Sequence, residues 1–417
     1  MLPDEALYSG ELDSPPSPVE PPHASTKPSS GKGAETDESP EPQPDLQESI
    51  GTLLRGVSSA ESLAVLLNRC LPTYLQQHPQ AKPKPVSARV INYYAFHKQA
   101  RRYRTFQIPK RARGEMRDLK APDQGLLRIQ RLLLLCLTDV FPVADKAAHG
   151  FVTGRSVLTN AQPHVGRRFV LNLDLKDFFP RTHIGRVVAI LQRKPFSLPR
   201  PGAYLVANLC CDLGSLPQGA PTSPLLTNAV CQPLDRKLRQ FATAHRCTYT
   251  RYADDLTFSS NRAAFTAAFH QELDAIIKGQ NYEQNLQKQR LQTARECQQV
   301  TGVTVNVRTN VPRDYYRVVR NMLHNWQTKG YEVANQNFRQ GYSASKGGLR
   351  HAGKCPPMER VLAGKIAYIG MIRGAEDPQF LRLLQQFKLL TDKEYADLSE
   401  ALSIMEQIAG IHEGPRT

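Results

Sequence analysis

The chain has 417 residues, 40% of them hydrophobic, with 54 Lys and Arg against 38 Asp and Glu, a formal net charge of +16. That length leaves room for two or three domains, and the basic excess points to a polyanionic partner, nucleic acid first. Eight cysteines with no C-x-x-C pair and no Cys/His zinc spacing, and an apolar run over 132–137 far too short to cross a bilayer, argue against a disulfide-stapled domain, a zinc module and a membrane span.

Residues 1–48 hold ten Pro, seven Ser and eleven acids against Lys27 and Lys32, a net of −9. Such a segment buries too little apolar area to offset chain entropy, so a disordered acidic tail is expected. The remainder carries 52 basic and 27 acidic residues, a net of +25. The acidic start lacks the apolar stretch of a secretory signal, and a cytoplasmic location is expected. Over 46–77, Ile50, Leu53, Leu54, Val57, Leu63, Leu66 and Leu67 recur at helical spacing, and Pro79, Pro83 and Pro85 then break the chain. A second helix is expected over 90–102. Residues 103–122 read as strand, turn, strand, with Arg113-Gly114 at the turn. Lys110, Arg111 and Arg117 flank it, and such cations either receive a triphosphate or guard a sheet edge. An amphipathic helix follows over 126–141, with Ile129, Leu132, Leu133 and Cys136 inward.

In 168–180, Phe169, Leu171, Leu173 and Leu175 alternate onto one strand face and Val170, Asn172 and Asp174 onto the other. Asp174 therefore ends a strand on its less apolar face, as a cap or as a ligand. Helices are expected over 180–193 and 206–213. The Gly- and Pro-rich loop 214–222 opens a helix at Ser223-Pro224 that runs to about Leu238. It can present backbone N–H groups and the Gln218 amide to a ligand. The stretch 248–259 reads as a hairpin with Ala253-Asp254-Asp255 at its tip. Two adjacent carboxylates are either an exposed acidic turn or a site for a divalent cation such as Mg²⁺. Further on, the pattern predicts a helix over 263–279, a short strand from Asn285 and a hairpin over 299–307 bent at Gly302. Helices follow over 314–328, 358–373 and 380–390, then a last one from Thr391, with a capping box at Thr391–Glu394 and a stop at Gly410.

Taken in order, Asp174, the Gln218-Gly219 loop and Tyr252-Ala253-Asp254-Asp255 resemble the palm motifs of reverse transcriptases. Asn160-Ala161-Gln162-Pro163-His164 and Val300-Thr301-Gly302 resemble the NAxxH and VTG motifs of bacterial retron reverse transcriptases, and the likeness runs from Tyr103 to the late 300s. It implies an α+β, right-hand polymerase fold: fingers, a palm with an antiparallel sheet, and a helical thumb. The boundaries would be 1–48 tail, 49–102 N-terminal helical region, 103–312 fingers and palm, and 313–417 thumb and C-terminal RNA-binding region.

The same resemblance implies RNA-directed DNA polymerase chemistry with two Mg²⁺ ions, or Mn²⁺ in their place, on Asp174, Asp254, Asp255 and the Leu175 carbonyl. Lys110, Arg111, Arg117, Gln218 and Gly219 would meet the incoming dNTP, and Phe179 would act as the gate that excludes a ribose 2′-OH. Lys288 falls where the family has a lysine that protonates the leaving group, although Gln289 stands where Thr is usual. Asn160, His164, Val300, Thr301 and Gly302 would face the RNA. The basic C-terminal residues Arg313, Arg317, Arg320, His324, Lys329, Lys346, Arg350 and Lys354 would track a duplex. The implied partners are a cognate structured non-coding RNA (msr-msd), its branched DNA product primed from an internal guanosine 2′-OH, and a separate effector or toxin protein in defence against phage. No membrane partner is implied, and the oligomeric state stays open. Two other readings remain: another bacterial reverse transcriptase, group II intron-like or diversity-generating, and an idle RNA-binding scaffold.

Overall fold

The structure, a computed structural model, describes residues 46–82, 84–97, 102–109, 116–141, 144–343 and 355–391. Residues 1–45 of the acidic tail, Lys110, Arg111, the Arg113-Gly114 turn, Lys346, Arg350, Lys354, the rest of the Thr391–Glu394 box and Gly410 lie outside the described residues. The periodic stretch 46–77 folds as three helices, α1 (Leu46–Arg55), α2 (Ala60–Arg69) and α3 (Leu71–Gln77). The break before α2 is set by Ser59: its hydroxyl accepts from Ser62 N while Ser59 N donates to the Ser62 hydroxyl. Helix α4 (Ala88–Phe96) stops short of Arg102, because His97 turns extended at φ −77°, ψ 119°.

Strands β1 (Tyr103–Pro109) and β2 (Met116–Pro122) form the expected antiparallel pair, Tyr103 opposite Pro122. Asp123 then caps α5 (Gln124–Val140), its carboxylate accepting from Gly125 N. The inner face of α5, with Leu126, Ile129, Leu132, Leu133 and Cys136, shares one core with α1–α4. Helices α7 (Ile184–Leu191) and α8 (Arg200–Cys210) belong to the same core, so the N-terminal helices are a layer over the next region. Helix α8 begins earlier than expected, since Pro201 in its first turn favours helix initiation. All eight cysteines are free, five of them buried.

The central sheet has the order β4-β5-β3-β6, every pair antiparallel: β3 (Phe169–Asp174), β4 (Thr248–Tyr252), β5 (Asp255–Ser260) and β6 (Arg290–Thr293). One face carries Leu171, Leu173, Leu256 and Phe258 and packs on α9 (Ser223–Ala244) and α10 (Ala267–Lys278) through Leu234, Leu238, Phe241 and Phe269. The opposite face holds Thr250, Ser259, Thr257, Asn172 and Asp174. It is backed by α6 (Val157–Ala161), the turn Gln162–His164 and the hairpin β7 (Gln299–Val300)–β8 (Val303–Thr304). Val170 on this side joins a third core made by α11 (Arg313–Lys329), α13 (Met358–Arg373) and α14 (Pro378–Thr391). Helix α12 (Tyr331–Ser343) escapes the periodicity because its sequence is mostly polar; it follows a stop at Gly330, φ +77°. Among the described residues no helix is long and apolar enough to cross a membrane.

Candidate active site

The acidic residues come together through strand register. Asp174 is the Cα partner of Asp255, and Leu175 N donates to Asp254 O at 2.9 Å. That bond brackets the 174/255 pair and makes it a non-hydrogen-bonded one, the type whose Cα atoms lie about 4.5 Å apart with side chains closest. Tyr252 pairs with Asp255, so the hairpin loop is Ala253-Asp254 alone, and Asp255 is the first residue of β5. Ala253 has φ +56°, as the first position of a II′ turn requires. Asp174 is buried, Asp254 half-buried and Asp255 exposed, so the group opens outward.

Lys288 comes to the same corner. Asn285 N donates to Asp174 O at 2.7 Å, and the turn Leu286–Lys288 brings Nζ to 2.9 Å from both Asp174 carboxylate oxygens. The corner therefore already holds a cation, supplied by the chain. The donor set fits hard divalent ions. The Leu175 N–H points at Asp254, and in an extended residue the C=O points the same way, toward the Asp254 backbone. Among the described residues no three His, Cys, Asp or Glu side chains form a closed metal cage. An open pair of carboxylates is the form Mg²⁺ takes where substrate phosphates supply other ligands.

Sequence reasoning missed what holds this turn. Arg251 and Asp235 form a fully buried salt bridge, Nε to Oδ1 at 2.7 Å and Nη2 to Oδ2 at 2.6 Å. Arg251 also donates to Ala253 O at 3.1 Å and to Asn228 Oδ1 at 3.1 Å. Asn228 Nδ2 in turn donates to Gly150 O at 2.9 Å, and Tyr249 donates to Asp235 at 2.9 Å. Burial works against the Arg251 charge, but the groups around it, Asp235 first and then Cys231 and Tyr249, together raise its pKa well above the ordinary value. Gly150 lies so near the turn that a Cβ there would sit 2.5 Å from Ala253 N. A signal existed: alternation puts Arg251 on the same strand face as Tyr249, where an arginine needs a buried anion.

Gln218 and Gly219 are fastened to β2. Lys120 N donates to Gln218 O at 2.9 Å, and Lys120 Nζ reaches Asp212 at 2.6 Å. Gly219, at φ +124°, would place a Cβ 2.8 Å from Lys120 O, so only glycine fits. Leu216 N donates to Thr182 O and Thr182 N to Phe179 O, which links this loop to the segment after Asp174. Phe179 is half-buried, its ring centroid 5.4 Å from that of Phe178 and 6.1 Å from that of Phe151. The backbone of Arg117 stands opposite Ile108.

The expected RNA-facing set divides. His164 and Asn160 are both 0% exposed, and Val300 is equally buried, so none of the three presents a surface to RNA. The His164 ring nitrogens lie 2.7 Å from Ser259 Oγ and 2.8 Å from Thr250 Oγ1, behind the β4–β5 hairpin. Burial, with the charge of Arg167, pushes its pKa down to about 3. Asn160 Nδ2 reaches Thr301 Oγ1 at 3.4 Å. Thr301 and Gly302 have φ +47° and +83°, a I′ turn that stands half-exposed, with nothing within 4 Å of where a Gly302 Cβ would be. Arg313, Arg317, Arg320 and His324 share the exposed side of α11, opposite Val319, Leu323 and Trp326; Arg317 pairs with Asp314.

Residues 108–305 match the family described as reverse transcriptase (RNA-dependent DNA polymerase). The chain is 39% identical over 273 residues to the retron Mx65 reverse transcriptase of Myxococcus xanthus, covering 61% of this chain and 64% of that one. It is 34% identical over 280 residues to the Mx162 enzyme of the same organism, 59% and 57% of the two chains. Against the retron Ec86 reverse transcriptase of Escherichia coli it is 30% identical over 272 residues, 64% of this chain and 84% of that one. The match thus spans less than two thirds of either Myxococcus relative. The chain belongs to the bacterial retron reverse transcriptases.

Proposed function

We propose that the chain is an RNA-directed DNA polymerase that copies part of a cognate structured RNA into single-stranded DNA, priming from a 2′-OH within that RNA to give a branched hybrid. The observation that carries this reading is the strand register that pairs Asp174 with Asp255 and sets Asp254 next to them, bringing three acidic residues from two remote stretches to one outward-opening corner. In this reading 103–312 are fingers and palm, 313–417 the thumb and C-terminal RNA-binding region, 49–102 an N-terminal helical region and 1–48 an acidic tail. Asp174, Asp254, Asp255 and the Leu175 carbonyl would hold two Mg²⁺ ions, which when bound ease loss of the primer proton and offset the charge of the triphosphate. Asp174 also accepts hydrogen bonds from Lys288, which in this reading keeps or gives a proton at that corner. Gln218, fixed to β2 by its own carbonyl, orients the nucleotide's sugar, with Gly219 allowing the close approach. Phe179 stands against C2′ and excludes the 2′-OH of an rNTP. Lys110, Arg111 and Arg117 receive the triphosphate. Arg317 and Arg320, on the α11 stripe, follow the duplex backbone, a contact that sets affinity and salt dependence.

Asn160, His164 and Val300 act behind the sheet, while Thr301 and Gly302 form the half-exposed turn that meets the RNA. Action in a bacterial cytoplasm with a separate effector, in defence against phage, follows from family membership and belongs to the same proposal. The test uses the protein as purified with its nucleic acid, labelled dNTPs and Mg²⁺. Asp254→Asn should lower incorporation by about 10³-fold or more, the scale for one member of a concerted group, without moving the unfolding temperature. Equal behaviour of variant and parent would sink the reading.

A further inference from the structure

Phe151 is an aromatic residue in an unfavourable place. Its φ is +61°, a region that a bulky side chain occupies only when its surroundings impose it, and the residue is 49% exposed. The surroundings are on hand. The carbonyl of the preceding Gly150 is held by Asn228, and Asn228 is held by Arg251. Gly150 itself lies against the backbone of Ala253, with no room for a side chain between them. Phe151 is thus placed by the same groups that place the acidic turn.

Its ring makes a tilted pair with Phe179, centroids 6.1 Å apart at 49°, within the range of attractive aromatic contacts. Phe178 contacts Phe179 as well, at 5.4 Å and 65°, and is itself 4% exposed and packed near Tyr282. A ring can reject one extra hydroxyl only if it does not swing aside, and its rotamer is fixed only by what packs on it. We propose that Phe151 braces the Phe179 ring and so helps set the choice between deoxyribose and ribose nucleotides. This rests on the reading of Phe179 as the sugar gate. Phe151 is a positioning residue here, and through Gly150 it ties sugar choice to the same framework that holds Asp254.

The experiment compares kcat/KM for a dNTP and the matching rNTP in the parent, Phe151→Ala, Phe151→Leu, Phe179→Ala and the Phe151→Ala/Phe179→Ala double variant. Loss of the brace should lower the dNTP preference about three- to tenfold, the range that one aromatic pair supports, while kcat/KM for the dNTP and the unfolding temperature stay near the parent's. Phe151→Leu keeps apolar volume without the flat ring and should move in the same direction. The double variant should discriminate no worse than Phe179→Ala, because a brace has no effect without the ring it holds. Parental preference in both Phe151 variants, or losses that multiply in the double variant, overturns the proposal. Unchanged preference in Phe179→Ala instead removes the gate reading itself, and the brace with it.

Discussion

The β4–β5 hairpin reaches its two-residue tip with a buried guanidinium on its own carbonyl, a carboxylate behind that guanidinium, and the backbone of Gly150 pressed against it. The β1–β2 hairpin is tied at its root, by Lys120 to Gln218 and Asp212 and by the Tyr103 hydroxyl to Gln130, and then runs out through exposed Arg104, Thr105, Gln107 and Asp118. The first arrangement suits groups that must stay fixed within a fraction of an ångström. In the proposed function, the second suits a segment that receives an incoming nucleotide. The fold braces the acidic tip and leaves the β1–β2 hairpin exposed beyond its root.

The strongest way to break this contrast is to remove the guanidinium. Arg251→Met leaves Asp235 buried and uncompensated, and should cost about 3–5 kcal/mol of stability, read by urea unfolding. Adding Asp235→Leu should restore most of it, whereas activity should stay low because Ala253 O has lost its donor. A smaller effect comes from behind the same hairpin. The pKa of His164 is pushed down to about 3 from an ordinary 6.5, so between those values the unfolded chain binds more protons than the folded one. Stability should therefore rise as pH climbs through that window and fall as pH drops through it. His149, pushed down to about 4 by burial and the Arg155 charge, adds in the same direction. In His164→Gln the difference in unfolding free energy between pH 7 and pH 5 should shrink; an undiminished difference would remove His164 from the acid response. The smallest effect on stability belongs to the other hairpin. Lys120→Met breaks a partly exposed pair with Asp212 and should change the unfolding free energy by about 1 kcal/mol or less, while KM for the nucleotide stays near the parent's, because Gln218 is held by the Lys120 backbone N–H, which methionine keeps.

Much of this was legible because it depends on short-range pattern. Alternation put Asp174 at the end of a strand, and Thr- and Tyr-rich flanks put Asp254 at a turn. The meeting of Asp174 with Asp255 is a matter of register between residues remote in the chain, which only the resemblance could supply. Arg251 escaped notice because a charged residue near two acids reads as surface, whereas its partner Asp235 lies on α9, the helix packed on the same face of the sheet. The RNA-facing role expected of His164 was a motif read without depth: sequence spacing does not tell a buried imidazole from an exposed one. Helix boundaries failed where local chemistry overrode periodicity, at the Ser59 cap, at extended His97 and in the polar α12.

Strand β3 is shared between two cores. Leu171 and Leu173 sit in the one beneath the sheet, while Val170 sits with Val319, Leu323 and Trp326 of the helix that carries the basic stripe. In the proposed function, a duplex gripped by that helix would be joined, through the core it shares with Val170, to the strand that ends in Asp174.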